Sequence, residues 1–444
     1  MKILLVHPPV GSDMPLSYAA ESLGLGYLAA VLRQDGHEIE IFDAQLQRLN
    51  TKEAISQILT RDFECVGITS MHEYKDFLIA AVQAVRKSRK DALIVAGGYL
   101  PTLNTEKLLA MCPEIDFVVR GEGETVACDV FGRIARGEDW KTTPGIAYRS
   151  GGETVMNPLP PLIQDLDSLP FPARDALKQA KMPEMLYAVS ASSRGCFYRC
   201  SFCSVNSFYS LSGGHAPRFR SAENFVNEIE SVVSATDIKK FAFIDEDFIG
   251  PGAKGRERAI QIADDLKARK LGVSFTIDTR ADEVDEEILT ILKEAGLCAV
   301  FLGIESGVQR QLDTFNKKIT VEKNRLAIEA SRRAGVEVQP GFIMFDPYST
   351  PDELQENMDF IRDTGLYGGP APVLKVRLYE GVPLADQVRA DGLLRENGLD
   401  LDYVFKDPQV GMMWKVTQAS AKWAKMKQGI KKFFGKDKDC KECG

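Results

Sequence analysis

The chain has 444 residues, 44% of them apolar and 27% charged, enough to bury a sizeable core in two or three domains and too apolar for wholesale disorder. With 55 Lys and Arg against 63 Asp and Glu the net charge is -8, which argues against a general nucleic-acid binder. The start, MKILLVHPPV, is too short in apolar residues for a secretion leader and no run reaches the ~18 that a membrane span needs, so the 9 cysteines predict a reducing, cytoplasmic setting.

Residues 1–136 alternate short apolar strands with amphipathic helices. In order they are strand Ile3–Val6, helix Ser22–Gln34, strand Ile39–Phe42, helix Lys52–Thr60, strand Cys65–Thr69, helix Tyr74–Ser88, strands Ala92–Ala96 and Asp116–Val119, and helix Glu124–Arg136. The pattern predicts an α/β fold with a parallel, doubly wound, Rossmann-like sheet, whose ligands sit beyond the carboxyl ends of the strands. We place this domain at 1–140. Residues 141–185 are rich in Gly and Pro and predict a hairpin, Ile146–Tyr148 with Glu153–Met156, followed by an extended linker.

A second alternation fills 186–385. Its strands are Tyr187–Ser190, Lys240–Ile244, Ser274–Asp278, Ala299–Gly303, Val338–Met344 and Val373–Leu378, with helices near 222–235, 256–270, 285–294, 321–334 and 352–363. Six units are too few to close an eight-fold barrel, so a partial (β/α)6 barrel is expected, with chemistry on the loops after its strands. The remainder, 386–444, reads as a helical extension. Met412, Val416, Ala419, Trp423, Met426, Ile430 and Phe433 draw one apolar stripe flanked by lysines. That tail either packs on the barrel or, with Trp414 and Trp423, makes a peripheral membrane or carrier contact.

The sharpest signal is the loop after the first barrel strand, Ser193-Arg194-Gly195-Cys196-Phe197-Tyr198-Arg199-Cys200-Ser201-Phe202-Cys203. Structural zinc takes four ligands, usually in pairs. Three thiols in CxxxCxxC spacing suit a [4Fe-4S] cluster held at three corners, with one iron open to a substrate or cosubstrate. This loop resembles that of the radical SAM superfamily, and the resemblance extends over roughly 186–380. It implies that Cys196, Cys200 and Cys203 ligate the cluster and that the open iron chelates S-adenosylmethionine, whose reductive cleavage gives a 5′-deoxyadenosyl radical. It places Phe202 by the adenine, and Asp245 and Glu246, of the run Asp245-Glu246-Asp247 in FAFIDEDF, by the methionine moiety. Arg280 of SFTIDTR, and Glu305 and Ser306 of FLGIESG, fall near the cofactor.

In the amino-terminal domain, Leu23-Gly24-Leu25-Gly26-Tyr27, VGITSM, VAGGYLP and VVRGEGE in this order resemble the cobalamin-binding domains of such enzymes. The resemblance places cobalamin over the carboxyl edge of the sheet, against Pro9, Thr69, Ser70, Gly97, Gly98, Tyr99, Gly121 and Glu122. The DxHxxG motif of proteins that ligate cobalt through histidine is missing. Asp35-Gly36-His37 lacks the last glycine and precedes the second strand, so His37 is expected to be a surface turn residue, and cobalamin is expected base-off without a histidine axial ligand. His7 and His72 read as hydrogen-bonded loop residues and His215 as a loop residue able to meet substrate. Cys65, Cys112, Cys128 and Cys298 read as core, Tyr209 and Tyr348 as packing, and Cys440 with Cys443 as a flexible terminal CxxC.

The family resemblance implies a cobalamin-dependent radical SAM methyltransferase acting on an unactivated carbon by way of methylcobalamin. The substrate would be a small molecule, natural product, lipid or carrier-bound group, and the electron donor a flavodoxin or ferredoxin. An oxidative cyclase or rearrangement enzyme of the same architecture is the alternative. An iron–sulfur electron carrier or sensor, from a different class, would want four cysteinyl ligands and no barrel.

Overall fold

Leu4, Val6, Val66, Ile94, Ala96 and Val118 bury one face of a parallel sheet, and Ile3, Leu5, Cys65, Val95 and Phe117 bury the other. Strands so buried on both faces read as continuous apolar runs. In the computed structural model, which describes residues 1–10, 19–214, 216–367 and 374–419, these strands lie in the order Glu38–Asp43, Lys2–His7, Cys65–Thr69, Leu93–Gly97 and Phe117–Val119. This is the flavodoxin-like doubly wound order. The hairpin Ile146–Ser150 and Glu153–Met156 continues the same sheet, antiparallel to Phe117–Val119. Two short helices, Tyr99–Leu103 and Thr105–Met111, follow the glycine pair where no helix was expected.

The second sheet has six strands, in the order Glu337–Phe342, Leu297–Glu305, Ser274–Arg280, Lys240–Phe243, Leu186–Ser190 and Ala19–Ala20, all parallel. Phe225, Phe241, Phe243, Phe248 and Phe275 pack between its outer face and the helices, with Phe243 and Phe275 stacked at 4.6 Å. The expected sixth barrel strand, Val373–Leu378, forms no extended ladder. Its first residue lies outside the described part, and the rest makes one parallel bridge, Lys375 to Phe345, closed by Val376 N–H on the Phe345 carbonyl at 2.8 Å. The opposite edge is covered instead by Ala19–Ala20, supplied from the amino-terminal domain.

Capping fixes where several helices begin. Asn50 and Glu53 cap Thr51–Thr60 reciprocally, and Thr350 and Glu353 do the same for Pro351–Thr364. One apolar cluster runs from Ile3 and Leu25 through Ala176, Leu177 and Leu186 to Phe241 and Leu302, so the two sheets share a core. Beyond the barrel, helix Pro383–Ala390 is followed by a hairpin, Leu394–Asn397 with Asp400–Tyr403, in a region expected to be helical throughout. A helix then runs from 408 to 419. Its Trp414 packs edge-on to Phe345 at 5.3 Å, off the proposed stripe, while Met412 and Val416 are exposed. Trp423, the rest of the stripe, His215, Cys440 and Cys443 lie outside the described residues. Among the described residues no helix is long and apolar enough to cross a membrane.

Candidate active site

The loop carrying the three cysteines starts at the end of Leu186–Ser190 and is held in place by a buried carboxylate. Asp245 accepts from the Ser192 backbone N–H at 3.1 Å, the Ser192 hydroxyl at 2.7 Å and the Ser193 hydroxyl. Asp245 is fully buried and Asp247 nearly so, accepting from Thr279 at 2.7 Å, so the triple acid is no solvated turn. Further along, the Ser201 hydroxyl donates to the Thr314 carbonyl at 2.7 Å, and Asn316 donates to the Arg199 carbonyl at 2.7 Å. These contacts pin the loop to the segment after Gln309–Thr314.

Cys196, Cys200 and Cys203 are all free and partly buried. Burial pushes the Cys196 thiol up to about 11 and the Cys203 thiol up to about 12, and the neighbouring cysteines add to the shift at Cys203. Three adjacent thiolates in such a place need positive charge beside them, which iron supplies. Among the described residues no three His, Cys, Asp or Glu side chains converge on a single ion. A cubane cluster takes its thiolates at separate irons, and three free, partly buried thiols on one loop fit it. Arg280 lies over the Tyr198 ring at 3.5 Å, with its guanidinium 4.0 Å from the Cys200 sulfur.

Around this loop sit the other barrel residues. Glu246 faces the site, and burial, reinforced by Asp245, raises its carboxyl to about 8. A carboxyl in that state suits an incoming ammonium group, which would restore its charge. Glu305 ends its strand with φ +59 and pairs with Lys317 at 2.9 Å. A side chain on Gly303 would strike both partners, with Cβ 2.6 Å from the Lys317 nitrogen and 2.9 Å from the Glu305 oxygen. Ser306, by contrast, is fully buried and bonded to Gln311 at 2.5 Å and Asn357 at 3.0 Å, so it braces the turn. Phe202 packs on Phe315 at 5.0 Å.

The carboxyl edge of the first sheet faces the same space. Ser70 N–H donates to the Gly97 carbonyl at 2.9 Å and Leu100 N–H to the Ser70 carbonyl at 3.0 Å, lacing the two loops together. Gly98, at φ +94, leaves only 2.8 Å between a would-be Cβ and the Thr69 hydroxyl. Tyr99 stacks on Phe208 at 4.4 Å and shares a hydrogen bond with Tyr209. Tyr209 is accordingly buried, while Tyr348 donates to Asp391 at 2.7 Å. Pro9 is buried at the end of the first strand. Gly121 N–H donates to Thr102 at 3.2 Å. Glu122 is taken up by Arg218 at 2.8 Å and Arg194 at 3.2 Å, and Arg194 also holds Glu124 at 2.6 Å. Glu122 thus ties the sheet to the cysteine loop.

Between the two edges a cleft is lined by Met71, His72, Glu73, Tyr99, Leu103 and Asn104 from the sheet, and by Ser204 and Tyr379 from the barrel. The loops beside it pack closely, since a Cβ on Gly98 would strike Thr69 and Ser70, and they would form the floor for a flat cofactor on the sheet side. His72 Nε2 lies 3.0 Å from Asp400, and His7 Nδ1 lies 2.9 Å from Asp43. His37 corrects the expectation of a surface turn. It is 8% exposed, lies edge-on to Phe131, and leaves both ring nitrogens without hydrogen-bond partners among the described residues, because its turn folds under the helix Gly123–Arg136. Cys298 likewise departs from the core expectation and is exposed, near the Phe275 carbonyl at 3.1 Å, whereas Cys65 and Cys112 are buried. Lys317 and Tyr379 had no local motif to announce them, and Arg194, though inside the cysteine-loop motif, had nothing in sequence to pair it with Glu122 and Glu124.

Comparison with known proteins agrees with both halves. The profile of the radical SAM superfamily matches residues 191–361, and that of the B12 binding domain matches 16–131. An uncharacterized methyltransferase of Pyrococcus horikoshii is 30% identical over 368 residues, covering 82% of this chain and 78% of that protein. The anaerobic magnesium-protoporphyrin IX monomethyl ester cyclase of Rubrivivax gelatinosus is also 30% identical, over 82% of this chain and 66% of its own length. The solved structure of the cobalamin-dependent S-adenosylmethionine radical enzyme OxsB with aqua-cobalamin superposes with a TM-score of 0.80 at 21% identity, over 94% of this chain and 66% of that one. At that identity the likeness is one of fold.

Proposed function

The chain belongs to the radical SAM superfamily, in the branch that carries an amino-terminal B12 binding domain, and on that premise we propose that it is a C-methyltransferase. Its substrate would be a small molecule, natural product, lipid or carrier-bound group with an unactivated carbon. When bound, the cluster would deliver one electron to S-adenosylmethionine to release a hydrogen-abstracting 5′-deoxyadenosyl radical, and cobalamin would relay the methyl group.

The chain's own residues would supply position. Cys196, Cys200 and Cys203 would hold the cluster, with Arg280 offsetting charge at Cys200. Glu246 would take the amino group of S-adenosylmethionine, and the Glu305–Lys317 pair would order the far side of the cofactor. Phe202 would stand by the adenine. Thr69, Ser70, Gly97, Gly98 and Tyr99 would support cobalamin, with Pro9 and Gly121 at the margin. Ser306, Asp245 and Glu122 would act at one remove, through the turns and loops they fix. Holding reactants in one orientation is the larger part of what a protein contributes to such chemistry.

Cobalamin would be base-off, without histidine on cobalt. The DxHxxG motif is missing, and His37, the nearest approach to it, lies at the opposite end of the sheet from the cleft. A flavodoxin or ferredoxin would donate the electrons, and the basic tail remains a candidate for peripheral membrane contact. The observation that carries the function is the cleft, in which the carboxyl edge of the cobalamin-type sheet meets the barrel wall bearing Ser204, directly after Cys203.

Anaerobic purification from cobalamin-fed cells tests it. Near-stoichiometric cobalamin per chain, with S-adenosylhomocysteine released on turnover, is expected. Bound cobalamin without S-adenosylhomocysteine would favour the cyclase alternative, which the Rubrivivax relative represents. An intact cluster with no cobalamin would end both.

A further inference from the structure

Inside the barrel, one row of side chains sits below the cofactor residues, and its one carboxyl has no hydrogen-bond partner among the described residues. Parallel register aligns Phe243 with Ile277, Ile277 with Val300, Asp278 with Phe301, and Phe301 with Gln339. Phe243, Ile277 and Val300 are fully buried on the helix side. The next residues along, Ile244, Asp278 and Phe301, with Gln339 beside them, therefore face the lumen in one continuous row. Ile244, just past the end of Lys240–Phe243, is 43% exposed and Phe301 on Leu297–Glu305 42%, unusual for two large apolar side chains flanking one central strand. Asp278 stands between them. Its backbone carbonyl accepts from Phe248 at 2.8 Å, but its carboxyl has no hydrogen-bond partner among the described residues, and burial raises it to about 7.

Two residues further along each strand, about 6–7 Å toward the mouth, lies the row of Glu246, Arg280, Gly303 and Gly341. Gly341 is there to make room. A Cβ on it would lie 2.8 Å from the tip of the Phe301 ring, so the ring leans up toward the cofactor row. A lone carboxyl between apolar walls is unfavourable unless a ligand supplies a donor.

We propose that Ile244, Asp278 and Phe301 form a substrate subsite that takes an apolar group carrying a hydrogen-bond donor, an amine or a hydroxyl, with Asp278 accepting from it. The inference rests on the barrel being the catalytic domain and deepens that reading by naming the substrate's chemical class. Asp278 sets which molecules enter and how far they reach toward the cofactor row. It takes no part in the radical step.

The test uses the full chain with its cluster loaded, without reductant, so that binding is read apart from turnover and a failure of methyl transfer leaves the result intact. The probes are cyclohexylmethylamine, cyclohexylmethanol and cyclohexanecarboxylate, titrated calorimetrically. The amine and the alcohol are expected to bind with Kd of about 1 mM or tighter, and the carboxylate at least about tenfold more weakly. Asp278→Leu should weaken the amine and alcohol about tenfold. Asp278→Asn, nearly isosteric, should keep the alcohol and weaken the amine, a split that a merely structural residue would not produce. Iron content and circular dichroism equal to the parent certify folding of the Asn variant. Equal binding of all three probes, no binding by the parent, or unchanged amine affinity in the Asn variant overturns the proposal.

Discussion

The Lys317 nitrogen sits 2.9 Å from the Glu305 carboxylate, directly over the bare α-carbon of Gly303, and each of the pair is almost removed from solvent. Neither half of such a pair is easily lost, because the survivor stays buried without a counter-charge. Lys317→Met should therefore destabilise the protein by about 3–5 kcal/mol, measured by urea denaturation. Gly303→Ala should be milder in stability yet displace both ends of the pair, and should weaken S-adenosylmethionine binding, read as loss of the cofactor-induced change in the reduced cluster's EPR signal.

The cysteines carry a simpler expectation. Replacing Cys196, Cys200 or Cys203 by Ala removes a partly buried thiol whose place in the loop is otherwise held by Asp245, Thr314 and Asn316. The fold should persist. Iron per chain after reconstitution should fall to near zero, and 5′-deoxyadenosine formation with it.

Glu122 faces two arginines, Arg194 and Arg218, and also accepts from Ile163 N–H at 2.9 Å. Glu122→Ala leaves Arg218 buried with its main carboxylate partner gone, at a cost of about 3–5 kcal/mol. Because Glu122 belongs to the first sheet and both arginines to the cysteine loop region, the loss should loosen one domain from the other. Differential scanning calorimetry should then show a lower Tm than the parent's, with the shared apolar core keeping the unfolding in one transition.

His37 gives a pH signature. Burial lowers its pKa below the usual 6.5, and neither ring nitrogen has a hydrogen-bond partner among the described residues. Below 6.5 the unfolded chain binds a proton that the folded chain resists, so this residue makes stability fall as pH drops through that point and contributes no slope above it. His37→Phe should flatten the stability curve below pH 6.5 while matching or exceeding the parent at pH 7, checked by denaturation midpoints on both sides of that point.

What could be read from residues alone was the part written in local patterns. Cys65–Thr69 and Glu153–Met156 fall where the sequence places them, and the other strands shift by only a few residues, because their apolar runs are bounded by glycine, proline or polar turns. The cysteine loop was legible because its three thiols fall within eight consecutive residues, Cys196 to Cys203. Lys317 was not, since nothing near Asn316-Lys317-Lys318 tells which lysine turns inward toward a strand end 12 residues back. Val373–Leu378 has the composition of a strand, yet apolar runs become strands only where a neighbour pairs with them, and here one bridge to Phe345 suffices. The hairpin at 394–403 was readable in principle. Gly398-Leu399 is the two-residue loop, and Gly398 at φ +60 fills the first central position that a type II′ turn gives to glycine, but the helical periodicity of the downstream tail drew the whole region into one helix.

The two residues Ala19–Ala20 pair with Leu186–Tyr187 across more than 160 positions of chain, and Glu21, just after them, reaches Arg174 beside the same strand. The order of domains along the gene is therefore not their order of independence. A barrel excised at residue 186 would carry an open row of amide and carbonyl groups along its first strand, an invitation to pair with a second copy. Any recombination that exchanges cofactor domains among such enzymes would have to carry this short strand across with the barrel it completes.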